Sequence, residues 1–478
     1  MTNNLTMLTD LYQLTMMNGY YKKGLHNNTA VFDIFFRKNV CEGGYTIICG
    51  IEEVVKYIEN LHYEDSDLEY LRSLNLFDED FLSFLKDFKF TGDIYAVEDG
   101  TVMFPGEPVL VVKAPLYQAQ LIETAMLSIV NFMSLIATKS SRVCNAAQGD
   151  PVLEFGLRRA QGPEAGLYGA KAAIIGGCKG TSNVLAGKLF NVPVSGTHAH
   201  SWVQKFDTEL EAFRAYADIY PDSCLLLIDT YDVLNSGIKN AITVFNELRV
   251  KGHEPLGVRL DSGDLTYLSR EVRRILDEAG FENVKITASN DLDEYTITSL
   301  KQEGAKIDSW GVGTKLITSY DYPSLGGVYK LAAATNSEGL LVPKIKISEN
   351  PEKINNPGFK KVVRIYNENG KAEADLIMLA DEKIDESKTL EIFDPVYTWK
   401  TKQFEKFSLR EVLSPLFKDG KCVREGKTIQ EVTEYTQREL DSLWNQHKRI
   451  KNPHIYKVDL SEGLWKMKQE MIASKKIK

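Results

Sequence analysis

From about residue 150 the chain alternates short, wholly apolar segments with longer amphipathic ones, and this alternation constrains the fold more than any other feature. Eight of the apolar segments have the length of β-strands: PVLEFG, AAIIGG, VPVSG, SCLLLID, EPLGVRL, NVKITAS, IDSWGVG and VYKLAAA. Several are separated by residues at helical spacing, as in Phe206, Leu210 and Phe213. Apolar strands joined by amphipathic helices are typical of parallel sheets with right-handed crossovers.

The number of these strands favours an irregular α/β barrel of the TIM-like kind over an open, doubly wound sheet. A Rossmann-type sheet uses the same units, but no G-x-G-x-x-G sequence follows any of the eight segments. Outside this region the sequence predicts two β-hairpins. One covers Gly100–Leu116 and turns at Pro105-Gly106, and the other covers Val362–Leu379 and turns at Asn369-Gly370.

Composition excludes several classes of protein. Lys+Arg 57 against Asp+Glu 66 gives a net charge of -9, which argues against a general nucleic-acid binder. No apolar run approaches the roughly 18 residues of a membrane span, and the start, MTNNLTMLTD, lacks the pattern of a secretory signal. The six cysteines show no C-x-x-C spacing, so neither a zinc site nor a disulfide framework is indicated. We therefore expect a cytoplasmic protein.

Polar and charged residues follow nearly every predicted strand. In order along the chain they are Arg158, Arg159 and Gln161; Lys179, Gly180, Thr181, Ser182 and Asn183; Thr197, His198 and His200; Asp229 and Thr230; Arg259, Asp261, Ser262 and Asp264; Asn290 and Asp291; and Thr314 and Lys315. In parallel α/β folds, ligand-binding groups lie in the loops at the carboxyl ends of the strands. We therefore expect these residues to line one substrate pocket.

The residue types in this set point to an anionic ligand with more than one negative group, because several are cations. The sequences GTSN and GVGT can present backbone N–H groups to phosphate at helix starts. The carboxylates Asp229, Asp261 and Asp264 can orient ribose hydroxyls or hold Mg2+. Each feature also has a structural reading, because Gly-Thr pairs form turns and strand-end aspartates often cap helices.

The segment Thr197-His198-Ala199-His200-Ser201 leaves three readings open. On an extended strand both imidazoles point to one face, so a metal pair is one of them. A buried structural histidine is the second, and a nucleophile toward phosphorus or an acid/base is the third. A metal-dependent barrel hydrolase and a non-catalytic sensor of phosphorylated ligands thus remain alternatives to a phosphate-transferring enzyme.

Seven separated motifs resemble those of nicotinate phosphoribosyltransferases in order and spacing. They are TDLYQLTM, FFRKN, EFGLRRAQGP, KGTSN, GTHAHS, GVRLDSGDL and GVGT. The resemblance implies an α/β fold in which residues 1–145 form an N-terminal domain, 146–340 an irregular barrel with the active site, and 341–478 a segment that completes the N-terminal domain. It also implies a homodimer whose active sites contain residues of both subunits.

The reaction implied by the resemblance joins nicotinate to 5-phosphoribosyl 1-diphosphate and gives nicotinate mononucleotide and diphosphate. It uses Mg2+, is coupled to ATP hydrolysis and begins the salvage of nicotinate to NAD. By the same resemblance His200 is phosphorylated by ATP, whereas His198 falls at a variable position. Arg158, Arg159 and Thr314 hold phosphates, and Asp261 contacts the ribose or Mg2+.

The resemblance also assigns a nicotinate site. Tyr12 of the partner subunit bounds the pyridine ring, Phe155 faces its other side, and Thr197 and Arg259 contact the substrate. Nicotinamide phosphoribosyltransferases carry an acidic residue where this chain has Ser182, and a carboxylate there suits an amide but repels nicotinate. Ser182 therefore favours the acid. Quinolinate phosphoribosyltransferases are shorter and lack the histidine, so they resemble this chain less.

Overall fold

The computed structural model describes residues 4–350 and 353–474. The chain divides into two compact units. Unit 1 contains the residues up to Leu135 and those from Ser324 onward, and unit 2 is Ile136–Pro323. None of the described helices combines the length and the apolar character that crossing a membrane requires.

Helices and strands alternate irregularly along the described residues. The helices are α1 Leu11–Lys22, α2 Ile51–Glu59, α3 Asp65–Ser73, α4 Glu79–Lys86, α5 Leu116–Leu121, α6 Glu123–Ala146, α7 Pro163–Ile175, α8 Val184–Phe190, α9 His200–Gln204, α10 Glu209–Ile219, α11 Ile238–Val250, α12 Leu265–Glu278, α13 Glu294–Gln302, α14 Thr314–Ile317, α15 Ile429–Ser442 and α16 Glu462–Ser474. The strands are β1 Thr29–Phe36, β2 Thr46–Ile47, β3 Asp93–Ala96, β4 Val102–Met103, β5 Leu110–Pro115, β6 Val152–Glu154, β7 Gly180–Thr181, β8 Leu225–Leu227, β9 Gly257–Leu260, β10 Lys285–Ala288, β11 Ser309–Val312, β12 Gly327–Thr335, β13 Leu341–Pro343, β14 Lys360–Tyr366, β15 Ala372–Leu379, β16 Leu390–Phe393, β17 Thr401–Phe404, β18 Ser408–Glu411, β19 Ser414–Lys418, β20 Lys421–Cys422 and β21 Val458–Leu460.

Unit 1 is built on a seven-stranded sheet of order β13-β12-β1-β5-β3-β19-β20. Its pairings are antiparallel, and the N-terminal strands β1, β5 and β3 are flanked on each side by strands from the later part of the chain. A second sheet has the order β18-β14-β15-β21. The hairpin of β14 and β15 is confirmed, and Gly370 supplies the positive φ of 70° that its turn requires. The hairpin over Gly100–Leu116 is wrong, because β4 pairs with β2 while β5 pairs with β1 and β3.

A buried ion cluster ties the β14–β15 hairpin to α15. Arg364 is fully buried, and its guanidinium donates to Asp375 (Nη2–Oδ2 2.6 Å), to Glu439 (Nη1–Oε2 3.0 Å) and to the carbonyl of Val102. Both acids are also buried. Removing one member of such a cluster leaves uncompensated buried charge, which costs more than the intact cluster contributes.

We expect Arg364→Ala to lower the free energy of unfolding by about 3 kcal/mol, because two carboxylates would lose their cation in the interior. Urea denaturation followed by circular dichroism measures this change. Lys361→Ala is the matched control. Lys361 lies on β14, as Arg364 does, and pairs with the exposed Glu411 of β18, so its loss should cost less than about 1 kcal/mol. Equal effects of the two substitutions would contradict this prediction.

Unit 2 contains a six-stranded, all-parallel sheet of order β7-β6-β11-β10-β9-β8. A closed TIM-like barrel is not confirmed, because no backbone ladder between the described residues joins β7 to β8. The segment that precedes α9 meets both of these outer strands instead. Ser195 N donates to Thr181 O of β7 at 2.9 Å, and the His198 imidazole accepts from Leu227 N of β8 at 3.2 Å. Unit 2 is therefore a mixed α/β fold around a parallel sheet.

Three of the eight predicted segments are not strands of the parallel sheet. AAIIGG lies in and after α7, a helix buried along most of its length, and a short apolar run cannot distinguish such a helix from a buried strand. VPVSG makes only an isolated bridge at Val194. VYKLAAA belongs to β12, which pairs with β1 in unit 1, so this segment adds nothing to the parallel sheet. No apolar segment of the sequence predicted the two-residue strand β7.

Candidate active site

The carboxyl ends of the six parallel strands in unit 2 lie along one edge of the sheet, which we call the carboxyl edge. The residues that directly follow these strands, taken in sheet order, are Ser182 after β7, Phe155 after β6, Gly313 after β11, Ser289 after β10, Asp261 after β9 and Ile228 with Asp229 after β8. Because the strands are parallel, the residues that follow them collect at one edge of the sheet, as the sequence predicted. Helix starts such as those of α8 and α14 come next in the same loops.

Two carboxylates at the carboxyl edge are joined by hydrogen bonds. Asp229 Oδ2 accepts from Asp261 N at 3.0 Å and from Ser262 Oγ at 2.6 Å, and Ser289 Oγ donates to Asp261 Oδ1 at 2.5 Å. Asp229 Oδ1 is buried and has no hydrogen-bond partner within the described part of the chain. A buried anionic oxygen left without a donor suits a hard divalent cation, so the pair fits the donor set of Mg2+.

His200 is the first residue of α9, and its ring lies between two polar groups. Nδ1 is 3.2 Å from Thr230 Oγ1, and Nε2 is 3.9 Å from Asp261 Oδ2, too far for a hydrogen bond. The side chain is 41% exposed. Thr230 therefore orients the ring while Nε2 remains accessible, as a nucleophile toward phosphorus must be.

His198 has a different environment. It is buried, its ring packs edge-on against Tyr216 at 4.8 Å, and its Nε2 accepts from Leu227 N. Nδ1 therefore carries the proton of the neutral ring. Burial lowers the pKa of His198 to about 4. The metal-pair reading is not supported, since neither His198 nor His200 belongs to a cluster of three metal-ligating side chains in the described ranges.

The buried, neutral His198 should make the protein less stable in acid. Its folded-state pKa of about 4 lies below the unfolded value of 6.5, so the unfolded chain binds the extra proton between these pH values and stability falls as the pH is lowered through this window. Between pH 7 and pH 5 we expect His198→Gln to lose about 2 kcal/mol less unfolding free energy than the wild type. Denaturant unfolding at both pH values measures this difference. His62→Gln, at an exposed position, should behave as the wild type, and the prediction fails if His198→Gln does too.

Arg259 on β9 places a positive charge near His198, Asp229 and Asp261. Its Nη2 donates to the carbonyl of His198 at 2.8 Å, and its Nε is buried without a partner in the described residues. Burial lowers the pKa of Arg259, the charges of Asp261 and Asp229 raise it, and the charge of Arg158 lowers it. These interactions place Arg158 and both aspartates in the electrostatic neighbourhood of Arg259.

On the β6 side of the edge, the Phe155 ring lies over Gly311 of β11. A Cβ atom at Gly311 would be 2.6 Å from Phe155 Cδ2 and 3.4 Å from Ser289 Cβ. Because Gly311 has no side chain, the Phe155 ring can lie directly on the surface of the sheet. Arg158 and Arg159 follow on an exposed 3-10 turn, Leu157–Arg159, and neither has an ion-pair partner among the residues described. Helix α14, which begins at Thr314, packs against this turn.

Some predicted site residues are placed elsewhere or are engaged by neighbours. Lys179 precedes β7 and so lies at the amino end of that strand, and Lys315 pairs with Asp293 at 2.8 Å. Asp264 caps α12 by accepting a hydrogen bond from Tyr267 N. Helix capping is the structural role that the sequence left open for this residue. Thr197 is half-buried and donates to the carbonyl of His198.

Tyr12 belongs to unit 1, where it lies on α1 and is about half exposed. Burial and the neighbouring Glu123 carboxylate raise the pKa of Tyr12 to about 12. Its predicted place beside the nicotinate of a partner subunit stays a prediction.

Unit 1 contains a cationic cavity of about 260 Å³ that no pattern in the sequence predicted. Asp33 and Lys360 form a buried ion pair in its wall at 2.8 Å, and Arg37 of the FFRKN motif also lines it. Lys468 also lines it, and burial together with the charge of Lys360 lowers the pKa of Lys468 to about 8. Only Arg37 had a motif that could have indicated this cavity, because the other cations come from distant parts of the chain.

A parallel α/β sheet whose carboxyl edge combines an accessible imidazole, two arginines and paired carboxylates defines an enzyme class that acts on small polyanionic substrates. Family models agree over most of the chain. The nicotinate phosphoribosyltransferase (NAPRTase) N-terminal domain matches residues 7–131, the nicotinate phosphoribosyltransferase (NAPRTase) family residues 151–370, and the nicotinate phosphoribosyltransferase C-terminal domain residues 359–468. The chain belongs to the nicotinate phosphoribosyltransferase family, as its motifs predicted.

Individual relatives agree over nearly the whole length. The nicotinate phosphoribosyltransferase of Bacillus subtilis (strain 168) is 47% identical over 471 residues, which cover 98% of this chain and 96% of the relative. The human nicotinate phosphoribosyltransferase is 33% identical over 522 residues, covering 96% and 95%. The crystal structure of human nicotinic acid phosphoribosyltransferase superposes with a TM-score of 0.85 at 30% identity and covers 97% of this chain and 100% of that one. Nicotinate-nucleotide pyrophosphorylase from Pyrococcus furiosus, with a TM-score of 0.72 at 22% identity over 92% and 96%, shares the fold.

Proposed function

We propose that this chain is an ATP-coupled nicotinate phosphoribosyltransferase. It joins nicotinate to 5-phosphoribosyl 1-diphosphate, releases diphosphate and forms nicotinate mononucleotide, which enters NAD salvage. The observation that carries the proposal is the group formed by His200, Arg259, Asp229 and Asp261 at the carboxyl edge, in a chain of this family. We further propose that the protein works in the cytoplasm as a homodimer, with Tyr12 reaching the partner's active site.

The substrate is held by opposite charge. Breaking the bond between ribose C1 and the diphosphate builds negative charge on the leaving group, and the guanidinium of Arg259 stabilises this charge with Arg158 and Arg159. Asp229 and Asp261 would hold Mg2+, which when bound offsets part of the diphosphate charge. Thr314 and the backbone of the GVGT loop bind phosphate oxygens at the start of α14.

Nicotinate lies against Phe155, with Thr197 and Arg259 near its carboxylate. Its ring nitrogen attacks ribose C1 from the face opposite the leaving diphosphate. A pyridine nitrogen carries no proton at neutral pH, so no side chain has to act as a base in this step. Positioning of the two reactants therefore supplies much of the rate acceleration.

ATP acts through His200. Nε2 attacks the γ-phosphorus of ATP, the bond to the β-phosphate oxygen breaks, and ADP leaves. The phosphohistidine adds nearly two negative charges beside Arg259, reorganises the basic loops and raises the affinity for the sugar diphosphate. Water then cleaves the phosphorus–nitrogen bond and releases phosphate, which resets the imidazole.

The proposal is tested by product analysis with the wild-type protein and Mg2+. Nicotinate, nicotinamide and quinolinate are each supplied with 5-phosphoribosyl 1-diphosphate, with and without ATP, and the mononucleotide is quantified by chromatography. We expect nicotinate mononucleotide to form and ATP to raise its rate or yield. Preferential conversion of nicotinamide or quinolinate would refute the proposed substrate, and absence of any mononucleotide would refute the activity.

Ser182 should set the preference for the acid over the amide. Its side chain is half-buried beside Glu154, and its N–H donates to the Glu154 carbonyl at 2.9 Å. A carboxylate at this position repels the charged nicotinate, so we expect Ser182→Asp to lower kcat/KM for nicotinate by about 100-fold and to raise the relative rate with nicotinamide. Ser182→Asn, which is similar in size but neutral, is the control. Equal losses in both variants would indicate a steric effect instead.

A further inference from the structure

Glu154 is a buried carboxylate at the last position of β6, and the reaction described above does not use it. It is completely inaccessible to solvent, and no cationic side chain pairs with it in the described ranges. Burial raises the pKa of Glu154, while its hydrogen bonds to Thr181 and Gly156 lower it. An unpaired carboxylate inside a protein is costly, so its hydrogen bonds must compensate for lost solvation.

Each oxygen of this carboxylate holds a different loop of the carboxyl edge. Oε2 accepts from Thr181 Oγ1 at 2.6 Å, at the end of β7, and Oε1 accepts from Gly156 N in the loop after β6. Thr181 Oγ1 also accepts from Asn183 N at 3.0 Å. Ser182 lies between these two contacts, so the carboxylate fixes the backbone on both sides of it.

The loop after β6 is confined by the same group. A Cβ atom at Gly156 would be 2.8 Å from Glu154 Oε1 and 2.5 Å from Ile317 Cβ, so only glycine fits between the carboxylate and α14. Phe155 lies between Glu154 and Gly156 in the chain, with its N–H bonded to Val312 O at 2.8 Å. Its ring direction therefore depends on how Gly156 is held.

We infer that Glu154 is a positioning residue for nicotinate, which acts by clamping the loops that carry Phe155 and Ser182. The inference rests on the proposed function. The sugar diphosphate is also held at the other half of the edge, where Asp229 and Asp261 are anchored by hydrogen bonds that do not involve Glu154. Removing the hydrogen bonds of Glu154 should therefore weaken the binding of nicotinate more than the binding of the sugar diphosphate.

The test compares Michaelis constants for the two substrates in Glu154→Gln, Thr181→Val and the double variant. The glutamine amide keeps the shape of Glu154 but turns an N–H group toward one of the two donors. We expect each single variant to raise KM for nicotinate at least tenfold, to raise KM for 5-phosphoribosyl 1-diphosphate by a smaller factor, and to remain folded by circular dichroism. The KM for nicotinate of the double variant should not exceed that of the more strongly affected single variant, because both substitutions break the same contact.

Glu278→Gln, an exposed glutamate paired with Arg274, is the control and should match the wild type. Should Glu154→Gln fail to fold, Thr181→Val tests the clamp from its other side. Unchanged KM for nicotinate in the folded variants, or an equal rise for both substrates, would overturn the inference while an active wild type upholds the proposed function. A wild type that does not turn over nicotinate would refute the proposed function and this inference with it.

Discussion

Arg259→Met should lower kcat/KM for 5-phosphoribosyl 1-diphosphate by at least about 10³-fold, because it removes the partly buried cation that interacts with the charges of Asp229 and Asp261 and donates to the His198 carbonyl. Its Nε has no partner in the described residues and is therefore free to donate to substrate. Charge-assisted, bidentate hydrogen bonds of arginine to phosphate are among the strongest polar interactions available.

Steady-state kinetics with varied sugar diphosphate measures this loss. Arg259→Lys keeps the charge without the planar fork and should lose less, about 10- to 100-fold. Arg214→Met is the matched control, since Arg214 is exposed and pairs with Glu247, and it should keep the wild-type rate. A kcat/KM in Arg259→Met within threefold of wild type would contradict the proposed role.

His200→Ala should abolish phosphorylation of the protein by ATP. His200 is the histidine of the carboxyl edge whose Nε2 is accessible, whereas His198 uses its Nε2 to accept from Leu227 N. After incubation with γ-labelled ATP, acid-labile label should fall more than 100-fold in His200→Ala, and ATP should no longer stimulate mononucleotide synthesis. Thr230→Val, which leaves the imidazole but removes the hydroxyl at its Nδ1, should label more slowly.

His253→Ala is the control for this experiment. His253 pairs with Asp222 before β9, at the amino end of the strand, and should label as the wild type does. If His200→Ala and wild type were labelled equally, the phosphohistidine would be elsewhere and the ATP coupling proposed for His200 would be wrong.

The gathering of the candidate site residues at one edge was predictable, because parallel strands that are far apart in sequence end at the same edge of a sheet. Arg158, Asp229 and Asp261 follow β6, β8 and β9, which are far apart in sequence, yet these strands end at one edge of the sheet. This inference needs only the apolar pattern of the strands and the rule that their carboxyl ends meet. It was correct for β6, β8, β9, β10 and β11.

Side-chain environments were less predictable, because they depend on contacts between distant residues. His198 and His200 differ by two positions, but the Leu227 N–H makes one a buried acceptor while Thr230 orients the other toward the carboxyl edge. Glu154 went unnoticed, since nothing in PVLEFG distinguishes a buried clamp from an exposed strand end. The strand predicted at AAIIGG, which counted toward the barrel, is a helix for a similar reason, because the segment is apolar enough to be either a buried strand or the end of a buried helix.

Calorimetric titration of the protein with 5-phosphoribosyl 1-diphosphate in the presence of Mg2+ tests the central claim most directly, because binding is measured without turnover. Our account predicts saturable binding by the wild type, affinity weakened at least 100-fold in both Arg259→Met and Asp261→Asn, and no change in Arg214→Met. Undetectable binding by the wild type, or equal affinity in all four proteins, would show that the carboxyl edge of unit 2 is not the substrate site.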